Sequence, residues 1–341
     1  MPAWIKTAIK YTISFLLGGI LLWYVYKDTN FDTLIHNLKD ANLSWLTVSY
    51  ILAMISHIVR AYRWNLLMEP VNLHPGLRNS FVATMVGYLA NTILPRMGEV
   101  SRCAVLKKTD NIPVNTSFGT VITERIIDLI VLLLLLAIVL LIEIDRLSAF
   151  VLDMLGSKFQ GADTGKSILI AFVSVIALVV FMVILFNYLN KRLGKTKFYL
   201  SVKNFLKGLT EGLLSIRKLK KKKQFILSTI VIWLCYYYMS YVMFFSLPET
   251  SSLGFKAGLA ILVLGGLGMA APSPGGIGSY HWIIMQGLVL YGLTEEQGLL
   301  FATLVHSSQM IMLISIGLIC VFATFLISRK TKTTSIHENG K

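Results

Sequence analysis

Gly87-Tyr88-Leu89-Ala90-Asn91-Thr92-Ile93-Leu94-Pro95-Arg96-Met97-Gly98-Glu99 and Gly265-Gly266-Leu267-Gly268-Met269-Ala270-Ala271-Pro272-Ser273-Pro274-Gly275-Gly276-Ile277-Gly278 are two apolar segments, far apart in the chain, each interrupted by proline and glycine. Proline removes a backbone donor, and glycine admits backbone angles that other residues resist. Each segment therefore reads as a helix that stops and turns, the first at Pro95 and Gly98, the second at Pro272, Pro274, Gly275, Gly276 and Gly278. Interrupted backbone at membrane depth survives only where protein buries it or a polar cavity faces it. One such break in each half points to a transport site between internal repeats.

Working outward, the composition fits that reading. The 341 residues are 55% hydrophobic with a mean hydropathy of +0.69, far too apolar for a soluble domain. Cys103, Cys235 and Cys320 lie in or beside apolar segments without metal-ligand spacing, so they read as packing residues. The formal charge of +15 would suit nucleic acid or anionic lipid, and its placement decides. Lys and Arg crowd the stretch from Lys191 to Lys223 against a single acid, Glu211. That stretch lies between two apolar runs, as a cytoplasmic loop does under the positive-inside rule, and it offers a surface to anionic headgroups. Only Phe198, Tyr199 and Phe205 interrupt it, so no nucleic-acid partner is expected.

The expected fold class is an all-α polytopic membrane protein with six full spans and two oppositely oriented re-entrant helical hairpins forming an inverted repeat. The spans are 8–26, 43–67, 117–142, 166–190, 224–246 and 299–327, each near the ~20 residues a bilayer requires. The first is read as a retained span, since no small-residue cleavage site follows it. The hairpins occupy 78–107 and 255–291. With both re-entrant, the N-terminus, the basic loop and the basic tail all fall inside, and the acid-bearing segments 27–42 and 143–166 fall outside. Were only one hairpin to span, the basic loop or the basic tail would be exported. The chain then forms one integral membrane domain, 1–341, of the cytoplasmic (inner) membrane with both termini cytoplasmic. Within it, 43–142 is the first repeat, 143–223 a connecting span and basic loop, 224–327 the second repeat and 328–341 a tail. Segments 30–42 and 197–219 mix apolar and charged residues at helical spacing, as helices on a membrane surface do.

Ionisable residues inside spans cost ~2.5–3.5 kcal/mol each on insertion scales and so require a reason. Span two carries His57, Arg60 and Arg63. Snorkelling to the interface would account for Arg63 beside Trp64, whereas Arg60 lies deeper. The exit of the first hairpin carries Arg96, Glu99 and Arg102, and span three opens with Glu124, Arg125 and Asp128. These charges either brace the hairpin against the bundle, or offer planar two-donor guanidinium groups to a phosphate that the acids balance. Arg60, Arg96, Glu99, Arg102, Glu124, Arg125 and Asp128 are expected to converge on one polar cavity near the cytoplasmic half. In the second half, His281 follows the glycine turn and His306 sits in the last span; two histidines do not make a metal site, and proton coupling through them is a lesser alternative. Gly266-Leu267-Gly268-Met269-Ala270-Ala271 matches a dinucleotide fingerprint in spelling only, because no strand precedes it. No metal, cofactor or soluble-enzyme motif is recognised.

Arg60-Ala61-Tyr62-Arg63-Trp64, the Asn91 to Glu99 stretch with Arg102, Thr120-Val121-Ile122-Thr123-Glu124-Arg125-Ile126-Ile127-Asp128, and Pro272 to Gly278 occur here in that order. In them the chain resembles the flippase-like membrane region of lysylphosphatidylglycerol synthases, over nearly its whole length. The resemblance implies a lipid translocase fold holding a phospholipid headgroup between the two hairpins. Together with the residue reading above, it gives Arg60, Arg63, Asn91, Arg96, Glu99, Arg102, Glu124, Arg125, Asp128, His281 and His306 as the candidate headgroup site. The family often has an acid at the place of His281 and an arginine near His306, so the headgroup need not be the one better known members move. The aminoacyl-transferase domain of two-part members is absent from this sequence, so synthesis of lysyl lipid is not expected. The expected partners are membrane lipids, anionic or phosphate-bearing, with a homo-oligomer possible. The alternatives are an intramembrane transferase acting on a phospholipid or polyprenyl-linked substrate, with Glu99, Glu124 and Asp128 as base or ligands, and a structural membrane protein.

Overall fold

The computed structural model describes residues 3–146 and 219–339, with side chains over 11–146 and 219–327. The expected span 166–190, the segment 197–219 and nearly all of the basic loop lie outside the described residues. Everything described is helix, turn or loop.

Helices α1 (Ala3–Tyr26), α2 (Phe31–Lys39), α3 (Leu43–Met68), α4 (Leu77–Ile93), α5 (Gly98–Asp110) and α6 (Val114–Ile142) make the first part. Helices α7 (Lys222–Val242), α8 (Phe255–Ala270), α9 (Ser279–Val289) and α10 (Glu295–Asn339) make the second. Four stretches are long and apolar enough to cross a membrane: Leu43–Val71, Val114–Ile142, Lys222–Ser246 and Glu295–Ile327. They correspond to four expected spans. The first span falls on α1, a helix of 24 residues. Short polar connections set the starts of α2 and α3. The Asn30 carboxamide accepts from the Asp32 and Thr33 amides, and Asn42 accepts from the Ser44 amide.

Both interrupted segments are helix–turn–helix. Leu94 turns extended after α4, and Arg96 takes a left-handed φ of 66° before α5 begins at Gly98. The Asn91 carboxamide oxygen accepts the Gly98 amide at 2.7 Å, closing the turn. At Gly98 a Cβ would collide with the Gly87 carbonyl, so only glycine lets α4 and α5 approach this closely. The second turn uses φ values of 57°, 75° and 80° at Gly275, Gly276 and Gly278, the region glycine enters at least cost. The Ser279 hydroxyl donates to the Gly268 carbonyl at 2.8 Å and accepts from Ser273 at 2.7 Å, replacing bonds the helix has lost.

The packing occurs twice. In the first set α3 lies on α4, α4 on α5 and α5 on α6; in the second α7 lies on α8, α8 on α9 and α9 on α10. Across the sets α3 packs on α7, α4 on α10 and α8 on α6, three contacts that map onto one another when the two sets are exchanged, whereas the contacts of α10 with α5 and of α3 with α6 have no such counterpart among the described residues. Both of the last two mapped contacts use a glycine notch, on opposite partners: Gly317 of α10 lies against Leu89 of α4, and Gly266 of α8 lies against Leu132 of α6. Helix α1 stands outside this scheme. Its Gly18 faces Ser273, Pro274 and Ile277, so α1 is seated on the second break, a contact the sequence reading does not anticipate.

Candidate functional site

The charged residues expected to converge do so, with one exception. Glu124 on α6 is fully buried and is the hub. Arg60 Nη1 from α3 donates to it at 2.6 Å, Arg102 Nη2 from α5 donates at 3.0 Å, and Arg63 and Arg125 stand at 3.7 and 4.0 Å. Asp128, one turn along α6, accepts from Arg60 Nη1 at 2.8 Å and from Arg63 Nη2 at 2.6 Å. Glu99 pairs with Arg125 at 3.7 Å on the more open edge. Helical spacing explains the division: Glu124 and Asp128 share a face of α6, as Arg60 and Arg63 share a face of α3.

Neutral groups complete the set. The Tyr236 hydroxyl of α7 accepts from Arg60 Nε and Nη2 at 3.1 and 2.9 Å. The Arg102 guanidinium lies 3.7 Å from the ring centre of Trp64, whose indole donates to Thr120 at 2.9 Å. His57, buried beside Tyr88, has no hydrogen-bond partner for either ring nitrogen among the described residues.

Two expectations are corrected. Arg63 does not snorkel: it is completely buried and ion-paired to Asp128, which offsets a desolvation that the interface would otherwise have spared it. Arg96 stays out of the cluster, exposed at the turn, because its left-handed backbone carries it away from α6. Asn91 Oδ1 accepts from the Gly98 amide and so clasps the hairpin turn. The charges pair with one another, and all but Glu99 and Arg125 at the edge are largely buried. Four arginines, Arg60, Arg63, Arg102 and Arg125, face three acids, Glu99, Glu124 and Asp128. Arg102 Nε and Nη1 and Arg63 Nε are buried without a hydrogen bond among the described residues.

An open groove of 840 Å³ lies at the other break and runs between α1, the second turn and α10, with Trp23, Tyr26, Ile277, His281, His306 and Met310 among its walls. His281 and His306 are both buried, their ring centres 4.7 Å apart, and His306 Nε2 donates to the Gly275 carbonyl at 2.8 Å. His281 Nδ1 is without a partner among the described residues. Tyr26 lies against His281 and shares a 2.5 Å hydrogen bond with Thr303. The two breaks meet behind the groove: Gly275 is packed against Thr92 at the end of α4. Sequence reasoning missed Tyr236, Tyr26 and the groove. Tyr236 is one of three consecutive tyrosines in an apolar span, and nothing in the run singles it out.

Residues 11–317 match the family described as the lysylphosphatidylglycerol synthase TM region. Among curated proteins, the UPF0104 membrane protein MJ1595 of Methanocaldococcus jannaschii is 28% identical over 126 residues, which is 36% of this chain and 36% of the relative. The chain thus aligns with little more than a third of that protein's length.

Proposed function

Since the chain belongs to the lysylphosphatidylglycerol synthase TM region family and is an integral membrane protein, we propose that it is a flippase-like translocase moving a phosphate-bearing lipid between leaflets. The observation that carries this reading is the meeting of two interrupted helices, Gly275 against Thr92, inside a bundle whose packing repeats itself. Broken helices facing each other between repeats supply what alternating access requires, a site that either repeat can expose by rocking against the other. On this reading both hairpins are re-entrant from opposite sides, and the termini and the basic loop face the cytoplasm.

The two sides of the breaks differ in a way that suits such a cycle. On the first-hairpin side the arginines and acids are paired and mostly buried; on the second-hairpin side a groove stands open. We read the ion-paired cluster as a closed gate. When α5 and α6 part, its guanidinium groups become donors for a headgroup phosphate, and the surplus of arginine over acid favours an anion there. Reconstitution tests this. Vesicles with protein should move headgroup-labelled phospholipids to the other leaflet faster than protein-free vesicles. Equal rates across anionic, zwitterionic and cationic headgroups, with and without protein, would end the translocase reading.

A further inference from the structure

The groove beside α1 has features that a gap between helices does not need. The helices flanking it turn apolar side chains outward along their length, among them Ile13, Leu16 and Ile20 on α1 and Ile311, Ile314 and Leu318 on α10, all exposed. In a membrane such surfaces face hydrocarbon, so whatever enters from the side is a lipid chain. The inner wall is mostly apolar and nevertheless carries His281, His306 and Ser307, whose polar side chains a groove filled by hydrocarbon alone would not need.

Lys27 lines both the groove and a second, smaller recess of 330 Å³. The recess has a different chemistry. Around it stand Asp28, Glu295 and Glu296, with Asn30 and Gln286, and Lys27 is the basic residue among its walls. Trp23 and Tyr24 flank that end, and aromatic residues of this kind mark the headgroup level of a membrane. An apolar slot bordered by imidazoles and a recess bordered by three carboxylates thus share one cation, Lys27, whose Nζ stands 3.6 Å from Asp28 Oδ2.

We propose that groove and recess form one binding site for a zwitterionic, amine-bearing phospholipid. An acyl chain lies between α1 and α10, its ester region against His281, its phosphate at Lys27, and its ammonium group among Asp28, Glu295 and Glu296. A headgroup with net negative charge fits this order poorly, because the carboxylates would meet it beyond Lys27. The volume of the slot falls within the ~300–1,000 Å³ typical of ligand sites. The site is separate from the charged cluster, and lipid retention there does not depend on transport.

The test is native mass spectrometry of the full-length protein offered equal amounts of phosphatidylethanolamine, phosphatidylglycerol and phosphatidylcholine with identical chains. One phosphatidylethanolamine should be retained over phosphatidylglycerol by about fivefold, the size of one exposed ionic contact. Phosphatidylcholine, with the same charge but no N–H donor, should fall between. Gly19→Leu fills the slot, and a Cβ there meets no atom within 4 Å, so lipid retention should be lost with the melting temperature kept. Combined Glu295→Gln and Glu296→Gln should keep the bound lipid and abolish the preference. Phosphatidylglycerol retained ahead of phosphatidylethanolamine, or a Gly19→Leu protein holding lipid as the wild type does, would overturn the proposal. Because none of these measurements reads translocation, failure of the translocase reading would leave them intact.

Discussion

Removing Arg102 and Glu124 separately and together measures whether the buried cluster is an energetic unit. The contact between Arg102 Nη2 and Glu124 Oε2 is 3.0 Å, and both side chains are buried. At an effective dielectric of about 20, a pair at this distance attracts by ~5 kcal/mol before either charge's desolvation is counted. Glu124→Leu leaves Arg102 with no ion pair among the described residues, an uncompensated buried charge that should cost about 3–5 kcal/mol. Arg102→Met should cost less, ~2–3 kcal/mol, because Glu124 keeps Arg60 at 2.6 Å and methionine still covers the Trp64 ring. In the double variant both charges are gone and Arg60 retains Asp128 at 2.8 Å and Tyr236, so its loss should fall short of the sum by about 2–3 kcal/mol. Equilibrium unfolding in mixed micelles gives all three values. Additivity within ~0.5 kcal/mol would show that the two residues are independent and that the cluster is no gate.

Gly98→Ala places a methyl group on the Gly87 carbonyl and should cost ~3 kcal/mol or more, whereas Gly119→Ala, where a Cβ meets nothing within 4 Å, should be neutral or gain ~1 kcal/mol; thermal melts compare them. Asn91→Leu takes the acceptor from the Gly98 amide and should lose ~1–3 kcal/mol in the same melt; a wild-type midpoint would mean that the hairpin turn does not depend on this clasp. Arg96→Gly removes a left-handed non-glycine residue at an exposed turn and should leave the midpoint unchanged or raise it by ~1 kcal/mol; a clear loss would give Arg96 a structural contact it lacks here. In a background without Cys103, Cys235 and Cys320, a cysteine placed in 195–220 should resist external thiol reagents, and labelling from outside would reverse the proposed orientation.

The long elements were legible because their signals are local. Runs of apolar residues mark α3, α6, α7 and α10, and proline with glycine marks both turns to within a residue or two. The partners of the buried charges were only partly legible. Helical spacing places Glu124 with Asp128 and Arg60 with Arg63, but which arginine meets which acid depends on how α3, α5 and α6 are rotated, and no single helix encodes that. Arg63 was open to misreading for the same reason: its closeness to the span's end suggests snorkelling, and the acid that holds it inside lies on another helix. Arg96 was open to misreading because a charge beside a break is counted as pointing inward until the backbone angle is known. The groove is a shape made by the docking of α1 at Gly18, and neither composition nor periodicity carries it.

The two sets of helices pack alike yet fill equivalent places with different chemistry, and the difference follows from what each place can tolerate. Shortly after each turn the second hairpin arm meets the following span, through Arg102 and Glu124 in one set and through His281 and His306 in the other. A guanidinium and a carboxylate inside a membrane protein need each other, because separating them leaves charge in a poor solvent. Imidazoles have no such obligation, since neutral histidine offers a donor and an acceptor without a fixed charge. The ion pair is therefore found closed, and the histidine pair can border open space. Exchanging the chemistry of the two places would leave a charged pair facing the groove and a neutral pair sealing the interior. A seal made that way would have little to lose on opening, and on the proposed translocase reading the two exposures of an alternating site would no longer be held apart by an energetic step.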